Sequence, residues 1–191
     1  MGSYAVQLAT TTGVLQFPTG VGGINPYAIW NAGTGISFAF WVQIDTTTNS
    51  GSQRIFSFCD DNSRSRQLVV YKNGDTSHIV LYYIFSTRVG DVEAWNTADP
   101  TVIFVDDTWV HLVFSIDKSG IWNFYANNVA FDPGVTQVLT AATHGFSYLG
   151  GDCGALASPA DEIYFDDFRI YNKVLSADEV AELYALRPPP A

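Results

Sequence analysis

The last part of this chain is a strand joined by a short connection to one capped helix: E-I-Y-F-D-D-F-R-I-Y-N-K-V-L-S-A-D-E-V-A-E-L-Y, Glu162 to Tyr184. From Phe165 the apolar residues alternate, Phe165 and then Phe168 and Ile170, with the period of a half-buried strand. Asn172-Lys173-Val174-Leu175 leads to Ser176, and Glu179 follows three residues later. That spacing is a capping box, in which the Ser176 hydroxyl accepts from the Glu179 amide and the Glu179 carboxylate reaches back. Leu175 and Val180 take the staple positions, and Val180, Leu183 and Tyr184 form an i, i+3, i+4 apolar stripe. No helical period precedes Ser176, so a lone helix closes an otherwise strand-like chain. By alternation Asp166 is expected on the face of Phe168 and Ile170, a buried carboxylate that needs an ion partner, a hydrogen bond or a metal.

Ile36, Phe38, Phe40, Val42 and Ile44 form a period-2 set, with Ser37, Ala39, Trp41 and Gln43 on the other face. Further strands are expected at Gln53–Phe58, Gln67–Tyr71, His78–Phe85, Thr101–Val105, Trp109–Ile116, Trp122–Ala126 and Phe146–Leu149. Asn73-Gly74 and Asn127-Asn128 suit two-residue hairpin turns, because Asn and Gly tolerate positive φ. Ser86–Pro100 is the longest stretch without strand character and reads as a long, functional loop. With no internal repeat, the pattern predicts an all-β antiparallel sandwich or jelly roll with one short C-terminal helix.

At 191 residues and 47% hydrophobic content, the chain suits a single domain with a large core. Met1-Gly2-Ser3 reads as a cloning remnant, 4–186 as the domain, and Arg187-Pro188-Pro189-Pro190-Ala191 as the start of a stiff linker to further domains. The balance of 19 Asp+Glu against 9 Lys+Arg, net −10, argues against nucleic acid or an anionic membrane surface as partner. No apolar run reaches transmembrane length, so membrane insertion is not expected. Cys59 and Cys153 both sit among polar residues, which favours a disulfide between two loops, and an oxidising compartment, over two unrelated free thiols.

The order strand, Trp-x-His, strand, Asn-Asn hairpin, Leu-Gly-Gly, strand, capped helix resembles the concanavalin A-like jelly rolls, in particular their laminin-G-like and pentraxin-like branch. The matching pieces are Ile36–Ile44, Arg54–Phe58, Thr108–Ile116, Trp122–Val129, Tyr148-Leu149-Gly150-Gly151 and Phe165–Tyr184, with Leu15-Gln16-Phe17-Pro18 matching loosely. The resemblance implies two stacked antiparallel sheets with ligands at a concave face or at the rim loops. It also implies calcium, whose six to eight oxygen ligands must converge from several loops. Asp61-Asn62, with Asp60 beside them, and Asp152 fall at positions matching the family's ligands, while Asp161 and Glu162 match only by region. Asp166 matches an acid that meets a structural cation in the laminin-G-like branch. If two of those loops share a calcium, Cys59 and Cys153 are brought close, and a disulfide there would pin the site. The alternative is that these acids are solvated turn residues capping local amides.

Sugar rings stack their C–H faces on aromatic side chains, so Trp95 with Asp91 and Asn96, and Tyr27 with Trp30, are candidate ligand-binding residues. Tyr82 or Tyr83 on a strand adds an aromatic of the same kind, although each of these rings could equally anchor its segment in the core. Trp41, Trp109 and Trp122 read as packing residues, and so does His111; His78 and His144 have no metal-ligand spacing. No P-loop, nucleotide fingerprint, G-x-S-x-G or zinc motif is present, nor the E-x-D-x-E pattern of glycoside hydrolases on this architecture. The expected function is therefore a non-catalytic, calcium-dependent carbohydrate-binding module of a larger extracellular or surface protein. A protein-binding adhesion or assembly module is the alternative, and a glycan-active enzyme comes third.

Overall fold

Residues 35–44 alternate apolar and small or polar side chains, and in the computed structural model they form the central strand of one sheet. The structure describes residues 6–8, 15–16, 24–44, 53–59, 68–72, 79–83, 92–96, 103–105, 108–131, 136, 138–139, 146–151 and 163–186. In chain order the elements are β1 (Val6–Leu8), β2 (Leu15–Gln16), α1 (Pro26–Ala32), β3 (Gly35–Ile44), β4 (Gln53–Cys59), β5 (Leu68–Lys72) and β6 (Ile79–Tyr83). They continue with β7 (Val92–Asn96), β8 (Val110–Asp117), β9 (Trp122–Ala126), β10 (Val129–Phe131), β11 (Phe146–Leu149), β12 (Ile163–Tyr171) and α2 (Ala177–Leu186). One six-stranded sheet runs β1-β12-β3-β8-β9-β10 and the other β2-β11-β4-β5-β6-β7. Every pairing is antiparallel.

The two sheets share one core. Phe38, Phe40, Phe114 and Phe165 come from the first sheet and Phe56, Phe58, Leu68 and Val70 from the second. The contacts between sheets are largely aromatic: Phe38 stacks on Phe56 at 5.2 Å, and Phe40 meets Phe56 edge-on at 5.9 Å. The other face of the first sheet carries Ala39 and Val113, and it is covered by Leu175, just ahead of α2, and by Val180 and Leu183 of α2. The capping box forms as the spacing predicts: Glu179 N–H donates to Ser176 Oγ at 3.2 Å and Ser176 N–H to Glu179 Oε2 at 3.0 Å. Lys173 pairs with Glu179, and this partner, then the hydrogen bonds at Ser176, hold the Glu179 carboxyl below its ordinary range. The Ser176→Ala variant is expected to lose about 1 kcal/mol, read as a urea midpoint shift with unchanged slope.

Ser37 joins helix and sheet. Its buried hydroxyl donates to Lys173 O at 2.7 Å and accepts from Leu175 N–H at 3.0 Å. Its single proton is thereby used, so the 2.8 Å contact with Ser115 is donated by Ser115.

Several elements differ from the sequence reading. The region around Tyr27 and Trp30 is helical: Asn25 Oδ1 caps it by accepting from Ala28 N–H at 3.0 Å, and Pro26 stands at its first turn. Ser86–Pro100 contains β7, an edge strand. Ile103–Val105, inside the expected Thr101–Val105 strand, is irregular, although Ile103 and Phe104 are buried. Lys72 pairs with Ile79, and Asn73-Gly74, where a two-residue turn is expected, lies outside the described residues. The Asn127-Asn128 turn is confirmed, with φ of 49° and 64°.

The largest correction concerns β12. Asp166 pairs with Trp41 but Arg169 pairs with Ala39, so one extra residue is inserted in a bulge where Asp167 adopts φ 53°. The bulge switches faces. Phe165 points into the core before it, and Phe168 and Ile170 pack against the core after it. Asp166 therefore lies on the opposite face from Phe168, partly exposed, and its Oδ1 accepts from Asp167 N–H at 2.9 Å. No carboxylate is buried here, because the three-residue step from Phe165 to Phe168 is the bulge itself.

Candidate functional site

Asp60, Asp61, Asn62, Asp152, Asp161 and Glu162 lie outside the described residues, as do Asp91 and Cys153; the strands that lead to them are described. β4 runs into Cys59, which is fully buried and disulfide-bonded. β11 lies beside β4, with Phe146 opposite Cys59 and Leu149 opposite Phe56. After Leu149 the chain turns at Gly150, whose φ of 71° suits glycine, and Gly150 N–H donates to Ile55 O at 2.9 Å. Gly151 O then accepts from the buried Ser57 hydroxyl at 2.8 Å. Ser57 and Cys59 are two residues apart on one strand and so share a face, the face away from Phe56 and Phe58. Gly151 thus lies against β4 on the face of Cys59. Burial pushes the Tyr148 hydroxyl, which lies opposite Ser57, above its ordinary pKa.

Asp166, the one described metal candidate, spends an oxygen on the bulge amide. Its neighbour Asp167 holds Arg169 through both guanidinium contacts at 2.7 Å. Among the described residues no group of three or more His, Cys, Asp or Glu side chains gathers to hold a metal ion. A calcium site in this chain would therefore be assembled from the loops beyond β4 and β11.

The aromatic candidates separate by position. Trp30 is 8% exposed, its indole N–H donates to Asp117 O at 2.9 Å, and Lys118 Nζ lies 4.4 Å from its ring centroid. Lys118 also donates to Trp30 O and Asn31 O, capping the end of α1. Tyr27 packs partly buried against the core, 5.9 Å from Trp30. Trp30 fastens α1 to the β8–β9 hairpin and offers no open ring as a platform, which corrects the sequence expectation for that residue, while Tyr27 stays partly exposed. Trp95 and Asn96 sit on β7, not in a loop. Register aligns Trp95 with Leu81, Val70 and Phe56, a row whose described members lie in the core, and Asn96 with Val80 and Tyr71. Tyr71 is partly exposed and stacks under the Arg54 guanidinium at 4.4 Å.

His111 is structural, as its place in a strand suggested, but its surroundings were not legible. It is 3% exposed on the outer face of the first sheet, against Trp41 at 5.0 Å and Tyr184 of α2 at 6.0 Å. Burial lowers its pKa to about 4, opposed by the charge of Asp167 and reinforced by that of Arg169.

These features are those of a lectin-like sandwich, and the sequence agrees. A laminin G-type model described as concanavalin A-like lectin/glucanases superfamily matches residues 10–181, and the chain belongs to that superfamily. No curated protein matches the chain. Among solved structures it is similar to the botulinum neurotoxin serotype D binding domain, at 13% identity and TM-score 0.64, over 96% of this chain and 43% of that one. It is similar also to the receptor binding domain of botulinum neurotoxin C/D mosaic serotype, at 14% identity and TM-score 0.65, over 96% and 42%. Trypanosoma rangeli sialidase in complex with sialic acid matches at 13% identity and TM-score 0.62, over 94% of this chain and 27% of that one. The chain spans less than half the length of each of these structures, and at such identities the likeness is one of fold. Among the described residues no helix is long and apolar enough to cross a membrane.

Proposed function

We propose that this domain is a non-catalytic, calcium-dependent carbohydrate-binding module of a larger extracellular or surface protein. The observation that carries this reading is the course of the chain at β4. Gly150 and Gly151 turn back over Ser57, on the face where Cys59 is disulfide-bonded. Cys153, two residues beyond Gly151, is the only other cysteine of the chain and is taken as the partner of Cys59. That bond would hold Asp60-Asp61-Asn62 next to Asp152. Carboxylate and amide oxygens from two loops would then face one another, with the hard-oxygen chemistry that calcium requires. Asp161 and Glu162, just ahead of β12, would complete the set. The neighbours named as binding domains support a non-catalytic role, and the sialidase named with sialic acid supports a sugar as ligand. An oxidising compartment fits the disulfide.

Calcium that binds the folded state alone stabilises it by about 2.7 kcal/mol at a free concentration a hundredfold above Kd. The expected result is a rise in melting temperature of about 5–10 °C, abolished by EDTA and by the Asp61→Ala, Asn62→Ala double substitution. No shift at millimolar calcium would sink the metal assignment. A glycan array with and without EDTA then tests the ligand: binding that requires calcium is expected, and an empty array overturns the carbohydrate reading.

A further inference from the structure

Beyond that rim site, we infer a second carbohydrate-binding surface, on the outer face of the helix-bearing sheet, that takes a neutral glycan without calcium. Tyr164 on β12 pairs with Gln43 on β3, and Gln43 falls opposite Trp109, one residue before β8, by continuation of the Val42–Val110 pair. These three residues form a cross-strand row on the face away from the core, and all three are partly exposed. The backbones of Tyr164 and Trp109 are about 10 Å apart across two interstrand spacings. Their rings nevertheless converge over Gln43, with centroids 6.4 Å apart and planes at 66°. On β1, Gln7 is the backbone partner of Tyr164, so this strand borders the row.

This pattern matches the chemistry of a pyranose. Aromatic rings take the apolar C–H face of the sugar, and the Gln43 amide offers both a donor and an acceptor to hydroxyls, which are themselves both. The row contains no charged side chain. The neighbouring row brings Asp166 beside Trp41, and Arg169 is occupied by Asp167. A chain of net charge −10 with an acid beside the row disfavours a carboxylated or sulfated sugar and leaves a neutral one. The α2 helix stops short of the row: Tyr184 covers Trp41 and His111, the row before it, and Leu186 ends the helix 65% exposed. Tyr164 and Gln43 stand on strands whose register fixes them, and Trp109 directly precedes β8.

The test is calorimetric titration of the protein in excess EDTA with a soluble neutral β-glucan and a neutral galactan, with polygalacturonate as the charged control. One neutral polysaccharide is expected to bind and polygalacturonate is not. The Trp109→Ala and Gln43→Ala variants should each bind at least about tenfold more weakly. Both change partly exposed side chains, so melts near the wild-type temperature certify their folding, and Gln43→Ala stands as the readout if Trp109→Ala does not fold. Absence of neutral-glycan binding in EDTA, or unchanged binding by a folded variant, overturns this surface. The rim-loop reading fails separately, by the absence of a calcium-induced melting shift.

Discussion

The Gly33→Ala variant is expected to be less stable by about 3 kcal/mol or more, a fall in melting temperature of about 6–12 °C for a chain of this length. The cause is space, because Gly33 has φ −102° and ψ −161°, an extended backbone open to any residue. A Cβ built there would stand 1.7 Å from Asn172 O and 2.6 Å from Asn172 C, both backbone atoms. Neither side can yield cheaply. Gly33 N–H donates to Ile29 O and ends α1, while Thr34 N–H donates to the same Asn172 O at 3.1 Å. Asn172 is itself fixed between β12 and Lys173, whose carbonyl accepts from Ser37. Relief would detach α1, with Trp30, or pull the β12–α2 connection off the sheet. Thermal melts of the purified variant decide it: a midpoint within about 2 °C of wild type would show that α1 does not dock against Asn172.

What the sequence made legible follows from how local each signal is. The β3 alternation, the Asn127-Asn128 turn and the Ser176–Glu179 box are each encoded within a few residues, and each forms as expected. α1 was hidden because its support is remote. Asn25 and Pro26 start it, but Lys118 and Asp117, distant in sequence, hold its end and Trp30. β7 was read as a loop because Val92–Asn96 is short, interrupted by Glu93 and Ala94, and paired on one side only. In β12 the bulge was visible as a break in period, but strict alternation carried past it buried Asp166 on paper. Ser37 illustrates the opposite case. Nothing distinguishes a serine on the polar face of a strand until α2 lies over it and its hydroxyl fills three roles.

The candidate site divides in the same way. Cys59, expected in a loop, ends strand β4, and the Leu-Gly-Gly piece falls where β11 ends and Gly150 takes a positive φ. Trp30 escapes the sequence reading because composition around a ring does not say which way a helix will face it. Trp30, a platform candidate by its composition, is an anchor; Trp109 packs edge-on against Tyr164 and stays partly exposed.

Stability is expected to fall as pH is lowered from about 6.5 to about 4 through His111, by about 3 kcal/mol in total. In the folded protein burial between Trp41 and Tyr184 lowers the imidazole pKa to about 4. In the unfolded chain it titrates near 6.5, so between these values the unfolded state binds more protons and stability rises with pH. The contribution is complete above about pH 6.5 and lost as pH falls toward 4. Burial sets the sign. Asp167 would welcome the charge and Arg169 opposes it, but desolvation outweighs both. His111 Nδ1 has no hydrogen-bond partner among the described residues, so a proton there would be buried without an acceptor. Glu179, whose carboxyl is held low by Lys173, loses its share only below the ordinary carboxylate range and so acts in a more acid window. The measurement is urea unfolding at several pH values for wild type and for His111→Phe, which keeps a ring against Trp41 and Tyr184. The wild-type slope between pH 4.5 and 6 should approach about 1.4 kcal/mol per pH unit in excess of the variant. Parallel curves would mean that His111 takes up its proton within the fold, with α2 opening from the sheet to admit it.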